Sequence, residues 1–194
     1  LILYVLVEII CCTKLHAYYR FKIEFINFKL HMNISKQVLL LQGPVGPFFD
    51  RLHTQLLEDQ SKCTRVLFNA GDELFCHNKK LVHIFKGNLD EWNKWFETYI
   101  KNNTRSIVIL FGADRPIHSI ARNICIKYGI RVLCLEEGYF RPGFITAEEG
   151  GNNASSPIVS KLPPTKFNLS LEDLETNSDH IISRNSFRNK CWYG

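Results

Sequence analysis

The sequence predicts a Rossmann-like α/β fold, a parallel sheet with helices on both faces, and three observations carry that prediction. Continuous apolar runs such as Val38-Leu39-Leu40-Leu41 and Ser106 to Phe111 read as strands buried on both sides. Amphipathic helical patterns follow several of them. Between strand and helix stand polar turns built on glycine and proline, and this repeated order is that of a parallel sheet wrapped by helices.

The elements follow in order. Val38 to Leu41 runs into Gln42-Gly43-Pro44-Val45-Gly46-Pro47, a turn because two prolines and two glycines cannot continue a strand. Phe48, Phe49, Leu52, Leu56 and Leu57 then recur at helical spacing to about Gln60. Thr64 to Phe68 is a second strand, ending in Asn69-Ala70-Gly71-Asp72, and Leu81 to Phe85 a short third. Asn88 or Asp90 caps a helix whose face carries Trp92, Trp95, Phe96, Tyr99 and Ile100. Ser106 to Phe111 ends in Gly112-Ala113-Asp114-Arg115-Pro116, and a helix over Ile117 to Tyr128 stops at Gly129. Arg131 to Leu135 is the last core strand. After Thr146, the stretch Ala147 to Pro157 reads as a polar loop, and Leu162-Pro163-Pro164 as a stiff extended segment.

At 194 residues and 45% hydrophobic, the chain is long enough to bury a sizeable core. Its net charge of +5, with both signs interspersed, gives little support to nucleic-acid binding and permits a mild attraction to an anionic membrane. Seven cysteines without CxxC or zinc spacing fit reduced thiols in a cytosolic protein.

The two ends read differently from the middle. Leu1 to Cys12 is apolar apart from Glu8, yet short for a bilayer span and without a basic stretch before it. Met32 is the only methionine and stands just before the first regular strand. Residues 1–31 therefore read as an upstream extension or non-native leader, residues 32–160 as the Rossmann-like domain, and residues 161–194 as a linker and the start of a truncated further domain. Ser170 to Glu175 is a short helix candidate there.

Ligands of open α/β sheets sit beyond the carboxyl ends of the strands, so the strand-end clusters are the candidate site. Four would converge on one edge: Gln42-Gly43-Pro44, Asn69 to Asp72, Gly112 to His118, and Glu136-Glu137-Gly138-Tyr139. Glu136 and Glu137 are the candidate catalytic carboxylates, as general base or nucleophile. Gln42, Gly43, Asn69, Asp72, Asp114, Arg115, His118, Gly138, Tyr139 and Arg141 are the candidate substrate-binding residues, with Arg115, His118 and Arg141 suited to an anion. The bland readings stand beside these: Asp72 as a turn residue, Asp114 paired with Arg115, His118 on a helix surface, the glutamates as solvated loop charges. Gly43-Pro44-Val45-Gly46 lacks the third glycine of a dinucleotide fingerprint, and neither a P-loop nor a Gly-x-Ser-x-Gly elbow occurs. His77 and His83 have no partners at metal-ligand spacing, so no metal site is expected.

Four stretches in order carry a resemblance: Leu39 to Phe49, Phe68 to Asp72, Leu110 to His118, and Leu135 to Pro142 with Thr146. Over about Gln37 to Pro157 the chain resembles capsular polysaccharide biosynthesis and export proteins of the KpsS/LipB type. That resemblance implies the N-terminal half of a bacterial two-domain GT-B glycosyltransferase. The implied reaction transfers 3-deoxy-D-manno-octulosonic acid (Kdo) from CMP-Kdo to a phosphatidylglycerol-type lipid, starting the capsule linker. It implies a CMP-sugar donor and a phospholipid acceptor with no cofactor, and other capsule synthesis and export proteins as partners. The implied location is cytoplasmic, peripheral to the inner face of the inner membrane. The catalytic carboxylate of related Kdo transferases falls on Glu137, a glutamate where relatives of the sister enzyme have aspartate. The His-Pro motif that holds the CMP phosphate belongs to the C-terminal domain of these enzymes, and no His-Pro dipeptide occurs in this sequence. Little or no activity is therefore expected of the 194-residue chain alone. The alternative is a non-enzymatic export or assembly component.

Overall fold

A computed structural model describes residues 3–6, 37–103, 106–137 and 144–157. The readings for Met32, for Gly138, Tyr139 and Arg141, for the Ser170 to Glu175 helix and for residues 161–194 lie outside the described residues.

The described strands form one seven-stranded sheet. In chain order they are β1 (Leu3–Leu6), β2 (Gln37–Leu40), β3 (Lys62–Leu67), β4 (Val82–Ile84), β5 (Ile107–Phe111), β6 (Val132–Glu137) and β7 (Phe144–Glu149). The helices are α1 (Phe48–Glu58), α2 (Ala70–Leu74), α3 (Leu89–Asn102) and α4 (Pro116–Lys127). Across the sheet the order is β1-β7-β6-β5-β2-β3-β4. The five strands from β6 to β4 are mutually parallel, as predicted.

Two expectations are corrected. Ala147 to Glu149 is not loop but the end of β7, which pairs antiparallel with β6 and with β1, so the sheet is mixed at that side. β1 itself falls within the stretch read as a leader. The other correction concerns β6, which runs two residues past Leu135 because β7 returns beside it. Glu136 and Glu137 sit opposite Thr146 and Ile145 within the ladder, not in a loop beyond it.

The core lies in two layers, one on each face. Val38, Leu40, Ile109, Leu133 and Leu135 meet Phe49, Leu52 and Leu56 of α1 on one side. Leu39, Leu41, Val108, Leu110, Val132 and Cys134 meet α3 and α4 on the other. Alternate residues of one strand thus enter opposite layers, which is why the strands read as unbroken apolar runs. Asn88 caps α3 in a reciprocal capping box with Glu91. Pro116 opens α4 at a position whose N–H has no helical partner to lose.

Candidate functional site

Three of the predicted strand ends meet through side chains. Gln42, just past β2, donates from Nε2 to Asp72 Oδ2 at 3.1 Å and accepts at Oε1 from Arg115 Nη1 at 2.8 Å. Asp72 also takes the Phe68 N–H at 2.9 Å, and its own N–H goes to Asn69 Oδ1 at 2.9 Å. Asn69 is thereby the cap of α2, a helix of five residues too short to show any period in sequence. Asp72 is thus both a turn residue and a member of the cluster. The chain Asp72–Gln42–Arg115 spans the ends of β3, β2 and β5 and fixes which way the Gln42 amide points.

Arg115 is the N-cap of α4, but its side chain makes no cap bond and reaches back across the sheet edge instead. Its Nη1 also donates to the Gly43 carbonyl at 3.3 Å. Nε and Nη2 have no protein partner among the described residues. A guanidinium anchored at one nitrogen with its other donors open is arranged to grip an oxyanion with two parallel hydrogen bonds.

Glycines shape the floor of this cluster. Gly112 has φ +80, a left-handed conformation that favours glycine. A Cβ there would stand 3.4 Å from Arg115 Nε and 3.7 Å from Glu136 Oε2, so the guanidinium and this carboxylate flank the same bare stretch of backbone. Gly43 has a different reason to be glycine: a Cβ would lie 2.5 Å from the Phe49 ring, so its place is taken by core packing.

The acidic doublet does not act as one unit. Leu133 and Leu135 belong to the α1 layer and Val132 and Cys134 to the opposite layer, so alternation sends Glu137 to the first face and Glu136 to the second. Glu136 stands by Gly112 and accepts from Asn153 Nδ2 at 3.4 Å and from the Glu137 N–H at 3.2 Å. Glu137, whose partner across the ladder is Ile145, points away from it.

Asp114 and Arg115 do not pair with each other. Asp114 accepts from Ser155 Oγ at 2.9 Å and lies 3.6 Å from Arg122 Nη1, which ties the 153–155 turn to the helix start and takes Asp114 out of the Arg115 cluster. Nor is His118 a surface residue. It is fully buried, with Nδ1 2.7 Å from the Gly112 carbonyl and Nε2 without a hydrogen-bond partner among the described residues. Burial, partly opposed by that bond, holds its pKa down at about 4. Thr146, opposite Glu136 in the ladder, likewise buries an Oγ1 with no hydrogen-bond partner among the described residues.

Sequence reasoning missed Asn152 and Asn153. Asn152 is buried, accepts from the Ala113 N–H at 3.2 Å and donates to the Leu135 carbonyl at 3.0 Å, clamping the β5 and β6 ends together. A run of Gly and Asn gives no sign in sequence that one amide is buried. The described cysteines, Cys63, Cys76, Cys125 and Cys134, are free and buried. Burial pushes the Cys125 and Cys134 thiols up to about 12, so they serve as core residues and not as nucleophiles.

A mostly parallel, helix-covered sheet defines the class, a Rossmann-like α/β protein, and the polar cluster across its carboxyl edge is its candidate site. The family described as capsule polysaccharide biosynthesis protein matches residues 106–173. The chain is 37% identical over 124 residues to the capsule polysaccharide export protein KpsS of Escherichia coli, spanning 64% of this chain and 32% of that protein. To the capsule polysaccharide modification protein LipB of Neisseria meningitidis serogroup A it is 37% identical over 134 residues, 68% of this chain and 32% of the relative. These matches place the chain among capsule polysaccharide proteins of the KpsS/LipB type. It spans about a third of the length of these curated relatives. Among solved structures, the MycE methyltransferase of mycinamycin biosynthesis aligns with a TM-score of 0.38 at 10% identity, over 87% of this chain and 56% of that one. A likeness that low carries no argument.

Proposed function

We propose that this chain is the acceptor-side, N-terminal GT-B half of a glycosyltransferase that moves Kdo from CMP-Kdo to a phosphatidylglycerol-type lipid, beginning a capsule linker. The observation that supports this reading most is Arg115, held by Gln42 and Gly43 with its remaining donors open beside Glu136. Both proposed substrates carry an oxyanion near the reacting groups, the carboxylate of the sugar acid and the phosphate of the lipid. In the reaction the bond from sugar to CMP phosphate breaks with its electron pair leaving on CMP. The acceptor hydroxyl forms the new bond and gives up its proton. Glu137, by the resemblance, is the catalytic carboxylate, as base in a single displacement or as nucleophile in a double one. Glu136 and Arg115 hold substrate. The enzyme works peripherally at the cytoplasmic face of the inner membrane alongside other capsule proteins, and no helix among the described residues is long and apolar enough to cross a membrane.

The test uses the full-length protein. Glu137→Gln is expected to lower kcat by about a thousandfold or more with the fold intact, while Arg115→Lys and Glu136→Gln chiefly raise KM. The name of the Escherichia coli relative, an export protein, supports a second reading as a non-enzymatic export component. Capsule production that survives Glu137→Gln would favour it and overturn the transferase.

A further inference from the structure

The segment that follows β7, residues 150–156, is fastened to the strand ends by almost every polar group it carries. Arg122 Nε donates to the Gly150 carbonyl at 2.9 Å, and Asn152 bonds Ala113 and Leu135 with the two ends of its buried amide. Ser155 Oγ donates to Asp114, and Ser156 Oγ to buried Glu148. A Cβ on Gly151 would strike the Ser155 carbonyl, so the turn is closely packed as well. Asn153 is the exception. Its side chain is exposed, and its one hydrogen bond among the described residues is the long one, 3.4 Å, from Nδ2 to Glu136 Oε2.

Asn153 also has φ +50, a left-handed conformation that asparagine enters more readily than most residues but still at a cost. Strain on a residue whose amide supports nothing else in the fold points to a use outside it. Glu136 is placed in the same way. Arg115 stands across the bare Gly112 backbone from it, and no ion pair joins the two. A group lying over Gly112 meets a guanidinium on one side, and on the other a carboxylate with an amide beside it. The guanidinium suits an oxyanion. The carboxylate repels one but accepts from hydroxyls, and the amide both donates to hydroxyls and accepts from them.

We infer that Glu136 and Asn153 take neighbouring hydroxyls of the ligand whose oxyanion Arg115 grips, so that this edge selects an anion carrying a vicinal diol. One hydroxyl donates to Glu136 while accepting from Asn153 Nδ2, and the next donates to Asn153 Oδ1. The inference rests on the proposed function for the identity of the ligand and deepens it. Two of the proposed substrates have this chemistry: the lipid headgroup, a phosphodiester of glycerol, and Kdo, a hydroxylated carboxylate.

Two pairs of probes test the diol and separate its sources. Dissociation constants of the 194-residue chain are measured by NMR titration for methyl glyceryl phosphate against methyl propyl phosphate, diesters of equal charge with and without the diol, and for Kdo against tetrahydropyran-2-carboxylate. The native chain should bind methyl glyceryl phosphate about tenfold more tightly than methyl propyl phosphate, the effect of a hydrogen bond to a charged group. Asn153→Gly suits the left-handed backbone and removes only the amide. It should lower that ratio about threefold or more with the urea midpoint no lower than native, where a purely structural role would leave the ratio unchanged. Glu136→Gln should lower the ratio as well, while Arg115→Ala should weaken both diesters alike and keep it. Equal affinities within both pairs, or a ratio undiminished in Asn153→Gly, would overturn the inference and leave Arg115 as an anion grip on the acceptor side. A preference in the Kdo pair alone would sustain the diol and remove this edge from the acceptor side. Binding of none of the four probes would overturn both.

Discussion

His118 shows how a strand-end histidine can be structural in place and still govern behaviour in acid. Its ring is enclosed and neutral, with a pKa of about 4 against 6.5 for the free group. Between those values the unfolded chain binds the proton more readily than the folded one. The stability this site contributes is therefore complete above about pH 6.5 and is lost as pH falls through about 4, roughly 3 kcal/mol in all. His53, buried with Nε2 against the Cys63 carbonyl and also shifted down by burial, adds a loss of the same sign. Urea unfolding midpoints followed from neutral pH into acid should fall steeply for the native chain. They should fall less steeply for His118→Gln, even though that variant starts lower for want of the bond to Gly112. Identical slopes would mean that another group governs acid unfolding. Gly43 is a second residue-scale case: its sequence context placed it correctly at the strand end, but its lack of a side chain serves the Phe49 ring, and only its carbonyl reaches the site.

The elements that were legible in sequence are those whose pattern is local. The strands buried on both faces read as continuous apolar runs, and α3 announced itself through Asn88 and its aromatic stripe. Because that capping box satisfies two backbone N–H groups at once, Asn88→Ala should cost about 1 kcal/mol, read as a lower urea midpoint at an unchanged m value, while Asn88→Asp should retain most of it. β7 was not legible for the opposite reason. Phe144-Ile145-Thr146-Ala147-Glu148-Glu149 ends in two carboxylates, and only tertiary contacts make it a strand: Glu148 is buried against Ser156, and Glu149 pairs with Arg131 at 2.7 Å. Missing β7 had a direct consequence at the site. Without a strand returning beside β6, the doublet reads as a pair of strand-end carboxylates beyond the sheet edge, or as solvated loop charges. With it, Glu136 and Glu137 are held in a ladder and divided between the faces.

At the scale of the molecule, the proposed roles follow that division, with binding given to Glu136 and turnover to Glu137. Arg115, Gln42 and Asp72 form a hydrogen-bonded cluster within the described residues, and Glu136 stands beside it at Gly112. The proposed reaction asks for more, since the donor must be set against the acceptor hydroxyl to well within an ångström, and in a cleft enzyme that requires the second wall. The chain spans about a third of its curated relatives, and the His-Pro dipeptide that the resemblance assigns to the CMP phosphate does not occur in its sequence. Binding and catalysis should therefore come apart. Calorimetry of the 194-residue chain with a soluble phosphoglycerol headgroup should register weak binding that falls about tenfold in Arg115→Ala, the loss of a charge-assisted pair. The same chain incubated with CMP-Kdo and a phosphatidylglycerol acceptor should release no CMP above the spontaneous rate. Release of CMP with product formation would place the whole catalytic apparatus on this half, and absence of headgroup binding with Arg115 intact would remove the cluster from the acceptor side.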